Sequence, residues 1–223
     1  MIGVLVMAYG GPNALDEVEP YLMDVRGGRL TAPEIIHEVR ERYRQIGGRS
    51  PILERTQGQA TALEAALNSS GKTFKTFVGM RHLRPYIKDT LAEMATAGVT
   101  RAVGLVMAPH YSRMSVELYF ERLSKAQEGI PAPLEVARIE SWKTEEGLLA
   151  AWSDRIRAAL ETFPRELRSE VELVFTAHSL PQRILSWADK YPEELQATFM
   201  ALSELFHAHP AHFAYQSAAM NPE

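Results

Sequence analysis

Two kinds of hydrophobic pattern alternate along the chain. Apolar, β-forming runs such as Ile2-Gly3-Val4-Leu5-Val6-Met7-Ala8 and Val171-Glu172-Leu173-Val174-Phe175-Thr176 read as buried strands. The same criterion predicts strands over 2–8, 74–79, 101–108, 134–139, 171–177 and 212–217. Between them, apolar positions recur at helical spacing and predict helices over 33–46, 55–69, 85–97, 115–127, 145–162 and 192–206. Ile35, Ile36, Val39, Tyr43 and Ile46 mark the first, with Thr31 and Glu34 as a capping box and Gly47-Gly48 as its stop. Leu195, Phe199, Leu202 and Phe206 form one face of the last.

Strands alternating with helices of this length imply a parallel sheet with helices on both faces, an α/β fold. The first four strands complete a unit over residues 1–142; a bridging helix over 145–162 opens a second unit, 143–223, that holds only two strands. Such a sheet has an open edge and an uncovered apolar face, so the second unit reads as incomplete.

Composition narrows the function only by exclusion. The 223 residues are 46% hydrophobic and 23% charged with a net charge of −4, which fits a globular chain without an electrostatic footprint for nucleic acid. The absence of cysteine excludes disulfides, thiolate metal sites and a cysteine nucleophile. The apolar start is too short to span a bilayer and lacks the basic flank of a signal peptide, so no transmembrane segment and a cytoplasmic location are expected.

In parallel α/β sheets ligands bind at the carboxyl ends of the strands. Those ends carry Tyr9-Gly10-Gly11-Pro12, Gly79-Met80-Arg81-His82, Pro109-His110-Tyr111-Ser112, Glu140-Ser141-Trp142 and His178-Ser179-Leu180-Pro181. An imidazole there can take a proton or hold a first-row metal near neutral pH. The Gly pair lacks the Gly-x-Gly-x-x-Gly spacing of a dinucleotide site and reads equally well as a tight turn. Gly104, inside a strand, calls for close backbone packing. Arg26, Arg29, Arg40, Arg42, Arg44 and Arg49 crowd the first long helix, as either a solvated face or a clamp for a carboxylate-bearing ligand. Tyr119 sits in the run Val116, Tyr119, Phe120, Leu123, suited to core packing as much as to ligand contact. His207, His209 and His212 flank Pro210 and read as an exposed turn rather than a metal cluster.

Taken together and in order, these motifs resemble those of ferrochelatases, which insert ferrous iron into porphyrin. They are Leu5 to Pro12, Arg42-Tyr43 with Gly47-Gly48-Arg49-Ser50-Pro51, Gly79 to His82, Ala108 to Ser112, Glu140-Ser141-Trp142, Ala177-His178-Ser179-Leu180-Pro181 and Tyr215-Gln216-Ser217. The resemblance implies two Rossmann-like, chelatase-type domains with porphyrin in the cleft between them. It implies His178 as iron ligand and proton acceptor, and Tyr9 as axial metal contact of the branch that uses coproporphyrin III. It further implies Arg26, Arg42, Tyr43, Ser50 and Tyr119 as contacts to the macrocycle or its carboxylates, with Arg81 and His82 on the cleft wall. The substrates would be Fe2+ and coproporphyrin III, with no tightly bound cofactor, and neighbouring haem-pathway enzymes are candidate partners. The family pattern continues with an acidic residue facing the histidine, which no Asp or Glu here matches; truncation of a true ferrochelatase is the expectation. The alternatives are a tetrapyrrole-binding fragment, a cobalt or nickel chelatase, and an unrelated sugar- or nucleotide-binding α/β protein.

Overall fold

A computed structural model describes residues 1–69 and 71–217. The elements run β1 (Ile2–Ala8), α1 (Val18–Val25), α2 (Pro33–Gln45), α3 (Ile52–Asn68), β2 (Phe74–Met80), α4 (Ile87–Thr96), β3 (Arg101–Val106), α5 (Val116–Gln127), β4 (Glu135–Ile139), α6 (Glu146–Glu161), β5 (Leu173–His178), α7 (Tyr191–Leu205) and β6 (Ala211–Gln216). Short 3-10 turns cover Leu15–Glu17, Arg165–Glu170 and Gln182–Trp187. Two compact units emerge, one of residues 1–108 and 118–139, the other of 109–117 and 140–223. The segment carrying His110 thus belongs to the second unit although it follows a strand of the first.

The first unit holds a four-stranded sheet in the order β2-β1-β3-β4, with every pair parallel. Val4 pairs with Thr76 on one side and Val103 on the other. Central β1 is buried from Gly3 to Ala8, which is why its sequence is continuously apolar rather than alternating. Edge strand β4 is mostly exposed and carries Glu135 and Arg138, charges that discourage further pairing. A Cβ on Gly104 would lie 3.1 Å from Phe120 Cε1 and 3.4 Å from Met7 Cε, so α5 packs against the bare backbone of β3 there. The close packing expected at Gly104 is present.

In the second unit β5 and β6 form a two-stranded parallel sheet. Phe199 of α7 covers one face, with ring centroids 5.6 Å from Phe175 and 5.8 Å from Phe213. Val174 points away from that face and is 63% exposed.

Local expectations shift in three places. The Thr31–Glu34 capping box does not form: Ala32 is the N-cap of α2 without a side-chain bond, and Pro33, whose φ is already helical, starts the helix. Helix α4 begins at Ile87, since Tyr86 bridges to Met80 and Pro85 O accepts the Met80 N–H at 2.6 Å. Helix α1 lies where no helix was expected; its Pro20 falls in the first turn, where proline is tolerated. The stop of α2 follows expectation: Gly47 (φ 97°) and Gly48 (φ 80°) are left-handed, and their N–H groups bond Arg44 O at 3.2 Å and Tyr43 O at 2.8 Å.

Phe120 is fully buried under Gly104. Phe120→Ala is expected to destabilise the first unit by about 3–5 kcal/mol, read from the shift in its urea midpoint.

Candidate active site

In the first unit the strand ends of β1 and β2 are stitched together beyond the last paired residues. Arg81 N–H donates to Ala8 O at 2.9 Å and His82 N–H to Tyr9 O at 2.8 Å. Gly10 makes this possible: its φ is +89°, and a Cβ would sit 1.8 Å from His82 O. A Cβ on Gly11 would lie 2.7 Å from Ser50 Cβ, and Ser50 N–H donates to Pro12 O at 2.7 Å. Two glycines therefore let the β1, β2 and Ser50 loops meet.

The side chains above this junction form a cluster of rings and charges. Tyr9 lies on His82 with centroids 4.6 Å apart. His82 is only 1% exposed, its Nδ1 is 2.6 Å from Asp24 Oδ2, and its Nε2 is buried without a partner. Burial pushes the His82 imidazole below the usual histidine range, opposed by its bond to Asp24. In the neutral ring Nδ1–H donates to the carboxylate, leaving Nε2 as the acceptor. The second oxygen of Asp24 is 3.5 Å from Arg122. Arg81 Cζ lies 5.8 Å from the Tyr9 ring centroid and 5.5 Å from that of Tyr119. Arg81 Nε is buried and unpartnered, and burial lowers its affinity for the proton.

Tyr119 is 5% exposed, and the Tyr21 and Tyr43 phenols lie beside one another. Burial raises the pKa of Tyr9, Tyr21, Tyr43 and Tyr119, so all four phenols are neutral at physiological pH. Tyr9, Tyr43 and Tyr119 thus share one cluster, and Ser50, whose Oγ accepts the Ile52 N–H at 3.3 Å, closes the adjoining turn. Arg26 is exposed at the C-cap of α1, its carbonyl accepting Arg29 Nε–H at 3.0 Å. Arg42 is exposed on α2 and pairs with Glu38 one turn earlier.

In the second unit His178 ends β5 and is exposed. Its carbonyl accepts the Tyr191 hydroxyl at 3.0 Å. Ser179 N–H donates to Gln216 O at 2.9 Å and the Ser179 hydroxyl to Ser217 O at 3.0 Å, so the backbone that presents the imidazole is tied to β6. No hydrogen bond to that imidazole comes from the described residues. The Pro109–Glu117 loop is held by two buried carboxylates. Glu194 accepts from Tyr111 N–H at 2.6 Å and the Ser141 hydroxyl at 2.8 Å, with Lys143 Nζ at 3.3 Å. Asp189 accepts from the Ser112 hydroxyl at 3.0 Å, Arg113 N–H at 2.8 Å and Tyr191 N–H at 2.9 Å. His110 Nε2 is 2.8 Å from Thr198 Oγ1, whose proton goes to Lys143 O at 2.9 Å.

Asp24, Tyr21, Asp189 and Glu194 escaped the sequence reading. Only Glu194 carried a signal, since Glu194, Thr198 and Leu202 follow one helical stripe that borders the predicted apolar face of Leu195, Phe199, Leu202 and Phe206. His207, His209 and His212 bond separately, to Glu204 O at 3.2 Å, Val171 O at 3.0 Å and Glu172 at 3.0 Å. His212 lies within β6 rather than in the preceding loop. Among the described residues no three His, Cys, Asp or Glu are grouped to hold a metal.

Parallel α/β units whose strand ends carry phenols, imidazoles and guanidinium groups define the class: an α/β protein with ligand-binding chemistry at its strand ends. Comparison with known proteins supplies the family. The ferrochelatase family model matches residues 1–223. The Deinococcus radiodurans ferrochelatase is 39% identical over 100% of this chain and 71% of its own length. The Herpetosiphon aurantiacus ferrochelatase is 37% identical over 96% of this chain and 70% of its own length. The Oceanobacillus iheyensis coproporphyrin III ferrochelatase is 40% identical over 91% and 65% respectively. The chain belongs to the ferrochelatase family and is shorter than these relatives. No helix among the described residues is long and apolar enough to cross a membrane.

Gly10→Ala is expected to destabilise the first unit by more than about 2 kcal/mol, because the methyl group meets backbone and the φ is left-handed; urea titration reads this, and an unchanged midpoint contradicts it. Burial lowers the pKa of His110 below its ordinary 6.5, so the unfolded chain takes up that proton first. Its contribution is therefore present above about pH 6.5 and lost as pH falls below that value. Thermal melts should show Tm falling between pH 7.5 and 5.5, and His110→Gln should flatten that dependence.

Proposed function

We propose that this protein inserts Fe2+ into coproporphyrin III, a lyase-type metal insertion in haem biosynthesis, through two Rossmann-like units of which the second, over 143–223, carries His178. The observation that carries this reading is His178: an exposed imidazole at a strand's carboxyl end, on a backbone tied down on both sides, in a chain of the ferrochelatase family.

A free-base porphyrin holds two N–H protons that must leave as the divalent cation enters. Neutral imidazole suits both halves of the exchange, accepting a proton and ligating borderline Fe2+ without thiolate-like tenacity. His178 takes both roles, and Tyr9 is the axial contact to the metal. Arg26, Arg42, Tyr43, Ser50 and Tyr119 hold the ring and its carboxylates, within the first unit over residues 1–142. The neutral phenols of Tyr9 and Tyr43, exposed and half-buried, offer apolar ring faces to a macrocycle. Arginine reads carboxylates bidentately, and coproporphyrin carries four of them. The names of several relatives and the tyrosine at position 9 both favour coproporphyrin over protoporphyrin.

Anaerobic mixing of the protein with coproporphyrin III and Fe2+, followed by absorption spectroscopy, tests this directly. Conversion to the metalloporphyrin spectrum is expected. A shifted porphyrin spectrum without metallation would make the chain a tetrapyrrole binder. His178→Ala should abolish insertion while leaving porphyrin affinity within about tenfold, and undiminished turnover would remove His178 from the chemistry.

A further inference from the structure

A concavity in the first unit is not absorbed by that reading. It is a cavity of about 950 Å³ bounded by the end of β2, the first turns of α4 and the C-terminal half of α5. Arg81, Lys88, Arg122 and Lys125 line it, against only Asp24 and Asp89. Asp24 is already committed, 2.6 Å from His82 Nδ1 and 3.5 Å from Arg122. Arg81 is the informative residue. Its guanidinium rests near two aromatic rings, 5.8 Å from Tyr9 and 5.5 Å from Tyr119, and no carboxylate among the described residues pairs with it. Its Nε is stripped of water with no acceptor in reach.

A half-buried guanidinium whose Nε has lost its water is under-compensated by π faces alone, because ring quadrupoles return only about 0.5–2 kcal/mol of what hydration or a carboxylate would supply. Lys88, exposed at the edge of the cavity, has its Nζ 5.7 Å from the Tyr86 ring centroid. Four cations facing two acids, one of them engaged, leave a positive hollow at a strand's carboxyl end, where parallel sheets bind their ligands. We propose that this cavity is an oxyanion site: it takes a carboxylate-bearing ligand between Arg81 and Arg122, with Lys88 and Lys125 at its rim. The inference does not depend on the iron-insertion reading.

Calorimetric titration of the full chain with citrate at low salt is the test. Saturable binding with a Kd below about 1 mM is expected, weakening as salt rises. Arg81→Gln should weaken binding at least about tenfold, the cost of one charge-assisted contact. Should that variant fold poorly in a thermal melt, Lys125→Gln, exposed on α5, should still weaken citrate about threefold. No saturation up to about 10 mM, or equal affinity in wild type and Lys125→Gln, overturns the site. Displacement of citrate by coproporphyrin III would assign the carboxylate to the tetrapyrrole, and simultaneous binding would assign it to a free anion; either supports the site. Metallation that proceeds in a protein with no citrate binding sinks the cavity and leaves the iron-insertion reading standing.

Discussion

A missing Cβ at residue 10 is the constraint on which the first unit's chemistry depends. Strands β1 and β2 stay hydrogen-bonded past their paired residues because the backbone of Gly10 passes His82 O more closely than any side-chain-bearing residue could. That contact sets where Tyr9 and His82 leave the sheet, and so fixes the ring-on-ring arrangement above it. From it follow the burial of His82, the demand for Asp24 on Nδ1, and the placing of Arg81 near two phenol rings. A backbone fact about one glycine thus becomes an electrostatic fact about five side chains.

Buried charged and titratable groups meet two different fates. In the second unit, Glu194 and Asp189 each accept several donors, so their burial is repaid and they serve as ties for the Pro109–Glu117 loop. In the first unit, His82 Nε2 and Arg81 Nε are stripped of water and left without partners. A buried unsatisfied group costs about 1–3 kcal/mol, and folds retain such groups where ligand chemistry uses them. The saturated network reads as architecture and the unsaturated one as a site.

How much of this was legible depends on the range of the interaction. All six strands announced themselves as short apolar runs, and the six expected helices are present, because period and burial are written locally. Family membership was legible through ordered motifs such as Ala177 to Pro181. The capping box at Thr31 and Glu34 was a local signal that lost to a competing one, the preset φ of Pro33. Helix α1, only eight residues long, was not read from the pattern, and with it went Tyr21 and Asp24, the partners that define the environment of Tyr43 and His82.

By itself the sequence determined the alternation of strands and helices, the positions of Tyr9, Arg81, His82 and His178 at strand ends, and the glycine at position 10. Only the tertiary structure decided which of those side chains share an environment. Asp24 meets His82 across 58 positions of sequence, and Glu194 reaches Tyr111 across 83. Periodicity encodes which face of an element is buried. What lies opposite that face is set by the packing of distant elements, and so are the loss of water and the pairing of charge that decide chemistry.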